Sequence, residues 1–209
     1  LEFDELGYQS ISKFCEVQKM PWFASAWDLK SLSFLDRFNC NHQKIASAMI
    51  TYCDFLMAVA DRKKHTFIST GMATMKIIED AVDIFARRGC EYTLMHSTSA
   101  YPCPDEETNV QMVRVLLDRF GPPIGYSGHE VGLLPSIVAV VLGATVIERH
   151  ITRDRAMYGS DQAASLERRG LELLVKECKG VNATLGDGRK SIKDIEQGIA
   201  KKLRYWEEE

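Results

Sequence analysis

"PIGYSGHEVGLLPSIVAVVLGATVIERH", Pro123 to His150, is the stretch whose reading decides the fold. It opens on a short β-like run, "PIGYS", crosses the apolar segment "HEVGLLPSIVAVVLG", and closes on a second β-like run, "ATVIERH". Strand, helix and strand in succession make a βαβ unit, whose two strands lie parallel beneath the helix. Each run also ends on polar groups, Ser127 with His129 and then His150.

The same alternation extends upstream. "PWFASAW", "QKIAS", "HTFIST" and "EYTLMHS" are short, apolar or β-branched, and bounded by Gly, Pro, Asn or a charge, which gives six candidate strands in all. The segments between them carry helical spacing. In "ATMKIIEDAVDIFARRG", Met75, Ile78, Val82 and Phe85 share a face and Gly89 supplies a stop. "SLSFLDRF", "CDFLMAVADRK" and "VQMVRVLLDRF" fill the other gaps, "LERRGLELLVKEC" and "IKDIEQGIAKKLRYW" follow the last strand, and the first residues read as a helix.

Such alternation closes as a doubly wound open sheet or as a barrel. No G-x-G-x-x-G or P-loop follows any strand, which weakens the dinucleotide and nucleotide-hydrolase readings. Polar residues stand instead at nearly every strand's C-terminal end: Ser25, Lys44 with Ser47, Ser69 with Thr70, His96 to Ser99, Ser127 with His129, and His150. A (β/α)8 TIM-type barrel gathers its site at that face, with several strands each giving a group. An open doubly wound sheet concentrates its site at one switch point. We therefore expect an α/β chain forming a partial barrel over 1–209, six strands visible and the first two βα units absent.

Composition is consistent with this. The chain has 209 residues, 45% hydrophobic, with a net charge of -3. Mild acidity offers no electrostatic reason to expect nucleic acid or an anionic membrane as partner. The longest apolar run, "LLPSIVAVVLGATVI", is broken by Pro135 and Gly143 and falls short of a bilayer span. The acidic, amphipathic "LEFDELGYQS" does not read as a signal peptide. Cys15, Cys40, Cys53, Cys90, Cys103 and Cys178 lack finger spacing and read as reduced, packed thiols of a cytoplasmic protein. The charged "KKLRYWEEE" reads as surface.

Two constellations carry chemistry. Ends of neighbouring strands lie about 5 Å apart, so His129 and His150 can offer two neutral nitrogens to one divalent first-row ion with open positions. The bland alternative makes His129 a helix-start residue and His150 a satisfied strand end. Lys44 with Ser47, Ser69 and Thr70 forms a cationic, donor-rich bowl for phosphate or carboxylate, where Gly71 lets backbone N–H groups approach. "STG" is also an ordinary helix cap with a turn glycine.

"FASAWD", "KIAS", "ISTGMAT", "HSTSAYPCP", "GYSGHEVG" and "GATVIERHITRDRAMYGSDQAASLE", in this order, resemble the sialic acid (N-acetylneuraminate) synthase family, which includes legionaminic, pseudaminic and spore-coat polysaccharide synthases. The resemblance runs from about Trp22 to Asp187. It implies a barrel that condenses phosphoenolpyruvate with an N-acetylated hexosamine aldehyde, giving a nine-carbon 2-keto acid sugar and phosphate. His129 and His150 match the family's ligands to a divalent metal, manganese. Ser25, Lys44, Ser47, Ser69, Ser99 and Ser127 match its phosphoenolpyruvate pocket, and Tyr101 and Asp161 its sugar-holding positions. The catalytic set so implied is His129, His150 and Lys44.

Three positions depart from the family pattern. Ser99 stands for a common asparagine, Met49 for a sugar-contacting glutamate, and "SGH" for the commoner "SDH". The family's C-terminal antifreeze-like domain is expected to be absent. Unpaired strand edges at "PWFASAW" and "ATVIERH" are expected to recruit a second copy as a homodimer. The alternatives are a barrel remnant that binds metal or a partner without turnover, and an aldolase-like barrel acting on another phosphorylated acid.

Overall fold

The computed structural model describes residues 3–207; Leu1 and Glu2 of the acidic start, and Glu208 and Glu209 of the charged end, lie outside them. Five parallel strands, β1 (His42–Ile45), β2 (His65–Ser69), β3 (Tyr92–Ser97), β4 (Ile124–Gly128) and β5 (Val146–Arg149), lie in sequence order in one sheet. Among the described residues eight α-helices accompany them: α1 (Glu5–Val17), α2 (Leu29–Leu35), α3 (Cys53–Asp61), α4 (Met75–Arg88), α5 (Met112–Phe120), α6 (Leu134–Val141), α7 (Arg168–Leu185) and α8 (Asp194–Leu203). An order without reversal has no switch point, so the sheet is a half-barrel.

The expected sixth strand is a correction. "PWFASAW" contributes one bridge, Ser25 to Lys44, and no ladder. Asp28 starts α2 at once, its side chain accepting from the Ser31 amide at 2.8 Å. Only a few residues after Pro21 are therefore left to run beside β1. On the other side, Leu166 pairs with Ile151 and its amide donates to the His150 carbonyl at 2.8 Å, so the edge beyond β5 is partly covered.

Alternation along the strands separates two faces. Ile45, Ile68, Leu94, Ile124 and Tyr126 point to the helices and form the hydrophobic core with Phe55, Leu56, Phe85 and Leu116. Helix α4 shows how the sequence builds that layer. Thr74 caps its start, Ile78, Ala81 and Phe85 are buried, and Gly89 ends it at φ 58°. Only glycine takes that left-handed conformation without cost.

Two helices depart from the sequence reading. "HEVGLLPSIVAVVLG" is helical only from Leu134, because Glu130 and Gly132 are held by their carbonyls to Arg149. Helix α8 buries no side chain, and Ile195 on it is 87% exposed.

Candidate active site

The opposite strand face carries the polar residues. The register aligns Ser97 with Ser127 and Ser127 with Glu148, and places Lys44 beside Phe67, two residues before Ser69. All share one parity and look into the half-barrel. They line an open cleft of about 510 Å³ with Phe23, Ser25, Trp27, Ser47, Tyr101, His129, His150 and Asp161. That volume lies within the range of small-molecule sites.

Lys44 is the centre of the cationic side. Its ammonium donates to Ser69 Oγ and pairs with Glu148 Oε2 at 3.1 Å. Burial pulls its pKa below the ordinary lysine value, and Glu148 opposes that shift. Ser127 Oγ donates to Glu148 Oε1 at 2.8 Å, and Ser25 Oγ to the Lys44 carbonyl at 3.2 Å. Ser47 Oγ accepts from the Gly71 amide at 3.0 Å.

The bowl is built around bare backbone. A Cβ on Gly71 would stand 2.3 Å from Ser99 Oγ and 2.8 Å from Ser47 Oγ. The hydroxyls of Ser97 and Ser99 are buried without a hydrogen-bond partner. Unpaired buried hydroxyls are costly unless something else engages them. Orphaned donors beside a lysine and a bare glycine suit a bound anion.

On the far side the two imidazoles meet. The His129 and His150 ring centroids lie 5.4 Å apart, and the Tyr101 ring lies 4.1 Å from that of His129. His129 Nδ1 donates to the Thr98 carbonyl at 2.7 Å, which leaves Nε2 with its lone pair free for a ligand. Burial pushes the His129 pKa down, against the raising effect of the Thr98 carbonyl, with His150 adding to the fall. Asp161 Oδ2 stands 3.7 Å from His150 Nδ1. Among the described residues no group of three or more His, Cys, Asp or Glu side chains forms a cage. A metal here would be held by two imidazoles and would complete its shell with water or substrate oxygen, a donor set that fits a divalent first-row ion.

Nearly all the site residues expected from the sequence thus meet at one cleft. Ser99 lies at the Gly71 turn and is not on the cleft wall, and the bowl's Thr70 is a correction, since it is buried with its hydroxyl donating to the Met95 carbonyl at 3.1 Å. Met49, which stands where the family carries a sugar-contacting glutamate, is buried in the hydrophobic core and is absent from the cleft lining, because the turn after β1 carries it toward the helices. Sequence reasoning missed Glu148, and named Ser97 only within the strand-end run His96 to Ser99. Period-two counting back from Ser99 and His150 would have put both on the inner face.

Residues 1–190 match the model of the NeuB family. The chain is 34% identical over 200 residues to the N,N'-diacetyllegionaminic acid synthase of Campylobacter jejuni, covering 94% of this chain and 60% of that one. It is 37% identical over 210 residues to the N-acetylneuraminate-9-phosphate synthase of Drosophila melanogaster, covering 100% of this chain and 55% of the relative. It spans less than two thirds of each. Among solved structures, the N-acetylneuraminic acid synthetase of Leptospira borgpetersenii in complex with citrate superposes with a TM-score of 0.87 at 30% identity, over 100% of this chain and 73% of that one. The spore coat polysaccharide biosynthesis protein of Bacillus subtilis gives 0.83 at 25% identity, over 96% and 60%.

Proposed function

Because the chain belongs to the NeuB family, we propose that its cleft condenses phosphoenolpyruvate with an N-acetylated hexosamine aldehyde to give a sialic-acid-like nine-carbon 2-keto acid and phosphate. The observation that carries this reading is the meeting of Lys44, Ser69 and Ser127 with His129 and His150 along one cleft. The named activities of the relatives support the same reaction class.

Lys44 is the counter-charge for the phosphate or carboxylate of phosphoenolpyruvate, and Ser47, Ser69, Ser97 and Ser127 orient it through directional hydrogen bonds. Glu148 competes with the anion for the Lys44 ammonium, so substrate entry exchanges one ion pair for another. His129 and His150 hold a divalent ion, manganese in this reading, which when bound polarises the aldehyde oxygen. Tyr101 walls the sugar side and Asp161 accepts a hydroxyl there. C3 of phosphoenolpyruvate bonds to the aldehyde carbon, water adds to C2, and the C2–O bond to phosphate breaks. The fixed geometry of bowl and histidines contributes mainly positioning.

Six unpaired thiols support a reducing, cytoplasmic setting. Among the described residues no helix is long and apolar enough to cross a membrane. The edge beside β1, bordered by one bridge, supports pairing with a second copy, which sedimentation velocity reads directly.

A second reading is a protein that binds a metal ion without turnover. One assay separates the two. Phosphate release from phosphoenolpyruvate that requires both manganese and an N-acetylated hexosamine supports the synthase; manganese binding without release under any acceptor supports the binding protein.

A further inference from the structure

Behind the two histidines, on the helix side of the sheet, lies a fully buried ion pair. Arg149 and Glu130 side chains are 2% and 0% exposed, with Nη1 to Oε1 at 2.9 Å. Each is chain neighbour to one histidine, Glu130 to His129 and Arg149 to His150. Arg149 also donates to the Gly132 carbonyl at 2.9 Å, to Ser136 Oγ at 3.1 Å and to the Glu130 carbonyl. The Glu130 carboxylate is satisfied on both oxygens, accepting from Ser136 Oγ at 2.8 Å and from Tyr126 Oη at 2.9 Å. The His129 carbonyl accepts from the Cys103 amide at 2.9 Å, which fixes the backbone on the other side.

An ion pair so deeply desolvated is a weak source of stability, since apolar residues of similar volume often serve as well or better. What it supplies is fixed geometry between two backbone segments. We infer that Glu130 and Arg149 are positioning residues, whose pairing sets the separation of His129 and His150 so that both rings address one divalent ion. This rests on the metal reading of the two histidines given above.

The same network accounts for the "SGH" departure. A Cβ on Gly128 would stand 2.5 Å from Glu130 Oε2 and 2.7 Å from Tyr126 Cε1. Glu130 folds back over bare backbone, so a side chain at 128 would require the buried Glu130 carboxylate or the Tyr126 ring to shift.

The test is manganese affinity of the full chain, read by the loss of the free-ion electron paramagnetic resonance signal, beside circular dichroism and thermal unfolding. Glu130→Gln and Gly128→Asp are each expected to weaken manganese binding about 10- to 100-fold, the usual effect of losing a partner behind a metal ligand. A single change that strands a buried charge can unfold the chain, so Glu130→Gln with Arg149→Met removes both charges together. That double variant is expected to hold its melting temperature yet bind manganese as weakly as the single ones. Folded variants with wild-type manganese affinity overturn the positioning role while leaving the metal site intact. A wild-type chain that binds no manganese, or binds it equally after His129→Ala, overturns the metal reading and this inference with it.

Discussion

Lys44 Nζ lies 3.1 Å from Glu148 Oε2, although one residue sits on β1 and the other on β5, at opposite edges of the sheet. Four inter-strand spacings amount to roughly 19 Å along the sheet. Two side chains and one ionic contact do not span a flat sheet of that width. The contact is a chord across a curved wall, and it sets the buried Lys44 ammonium in the wall of the cleft that also holds both histidines.

That chord gives opposite predictions for its two ends. Lys44→Met removes the cation, and phosphoenolpyruvate affinity measured by calorimetry is expected to fall about 10- to 100-fold, as for about 1.5–3 kcal/mol of charged hydrogen bonding. Glu148→Gln removes the competing carboxylate and is expected to tighten the same binding. A fall in both variants would contradict competition for one ammonium.

Gly71→Ala tests the bowl without touching a charge. The new methyl would meet Ser99 Oγ and Ser47 Oγ at 2.3 and 2.8 Å, so the turn must shift where the anion is held. Phosphoenolpyruvate affinity is expected to drop about tenfold, as for an overpacking cost of about 1–3 kcal/mol expressed at the site. Circular dichroism should stay native, and manganese affinity, read across the cleft, should stay at the wild-type value. Unchanged phosphoenolpyruvate binding would count against the Gly71 turn as part of the bowl.

Acid sensitivity is expected from His96, away from the cleft. It is buried on β3, with Nε2 donating to the Thr108 carbonyl at 2.8 Å. Burial pulls its pKa below the ordinary 6.5, against the raising effect of the Thr108 and Asn109 backbone. Between 6.5 and that lowered value the unfolded chain binds the proton and the folded chain does not. The stability given by the neutral ring is therefore complete above pH 6.5 and is lost as pH falls through the folded pKa. Urea unfolding across that window should show a falling free energy, with a shallower slope in His96→Gln; equal slopes would remove His96 as the cause.

Much of this was legible in the sequence, and the exceptions share a cause. Strand–helix alternation and polar strand ends are local signals, and they located β1 to β5 and the meeting of Lys44, Ser69, Ser127, His129 and His150. "PWFASAW" carries the same local signal, yet pairs at Ser25 alone, because ladder formation depends on a neighbour and on the room left before Asp28. Met49 lies two residues past the bowl serine Ser47, but a short 3₁₀ turn sends it into the core. Glu148 and Lys44, like Glu130 and Arg149, are ordinary charges until the fold brings distant segments together. Local pattern records which face a residue occupies; it does not record what stands across the barrel from it.

In the proposed reading His129 and His150 share one divalent ion beside the Lys44 bowl. Manganese titration of the wild-type chain, His129→Ala and His150→Ala, followed by electron paramagnetic resonance, tests it most directly. One site per chain in the wild type, lost or weakened at least tenfold in each variant while circular dichroism stays native, is the predicted result. Manganese bound with the same affinity by all three proteins would contradict it.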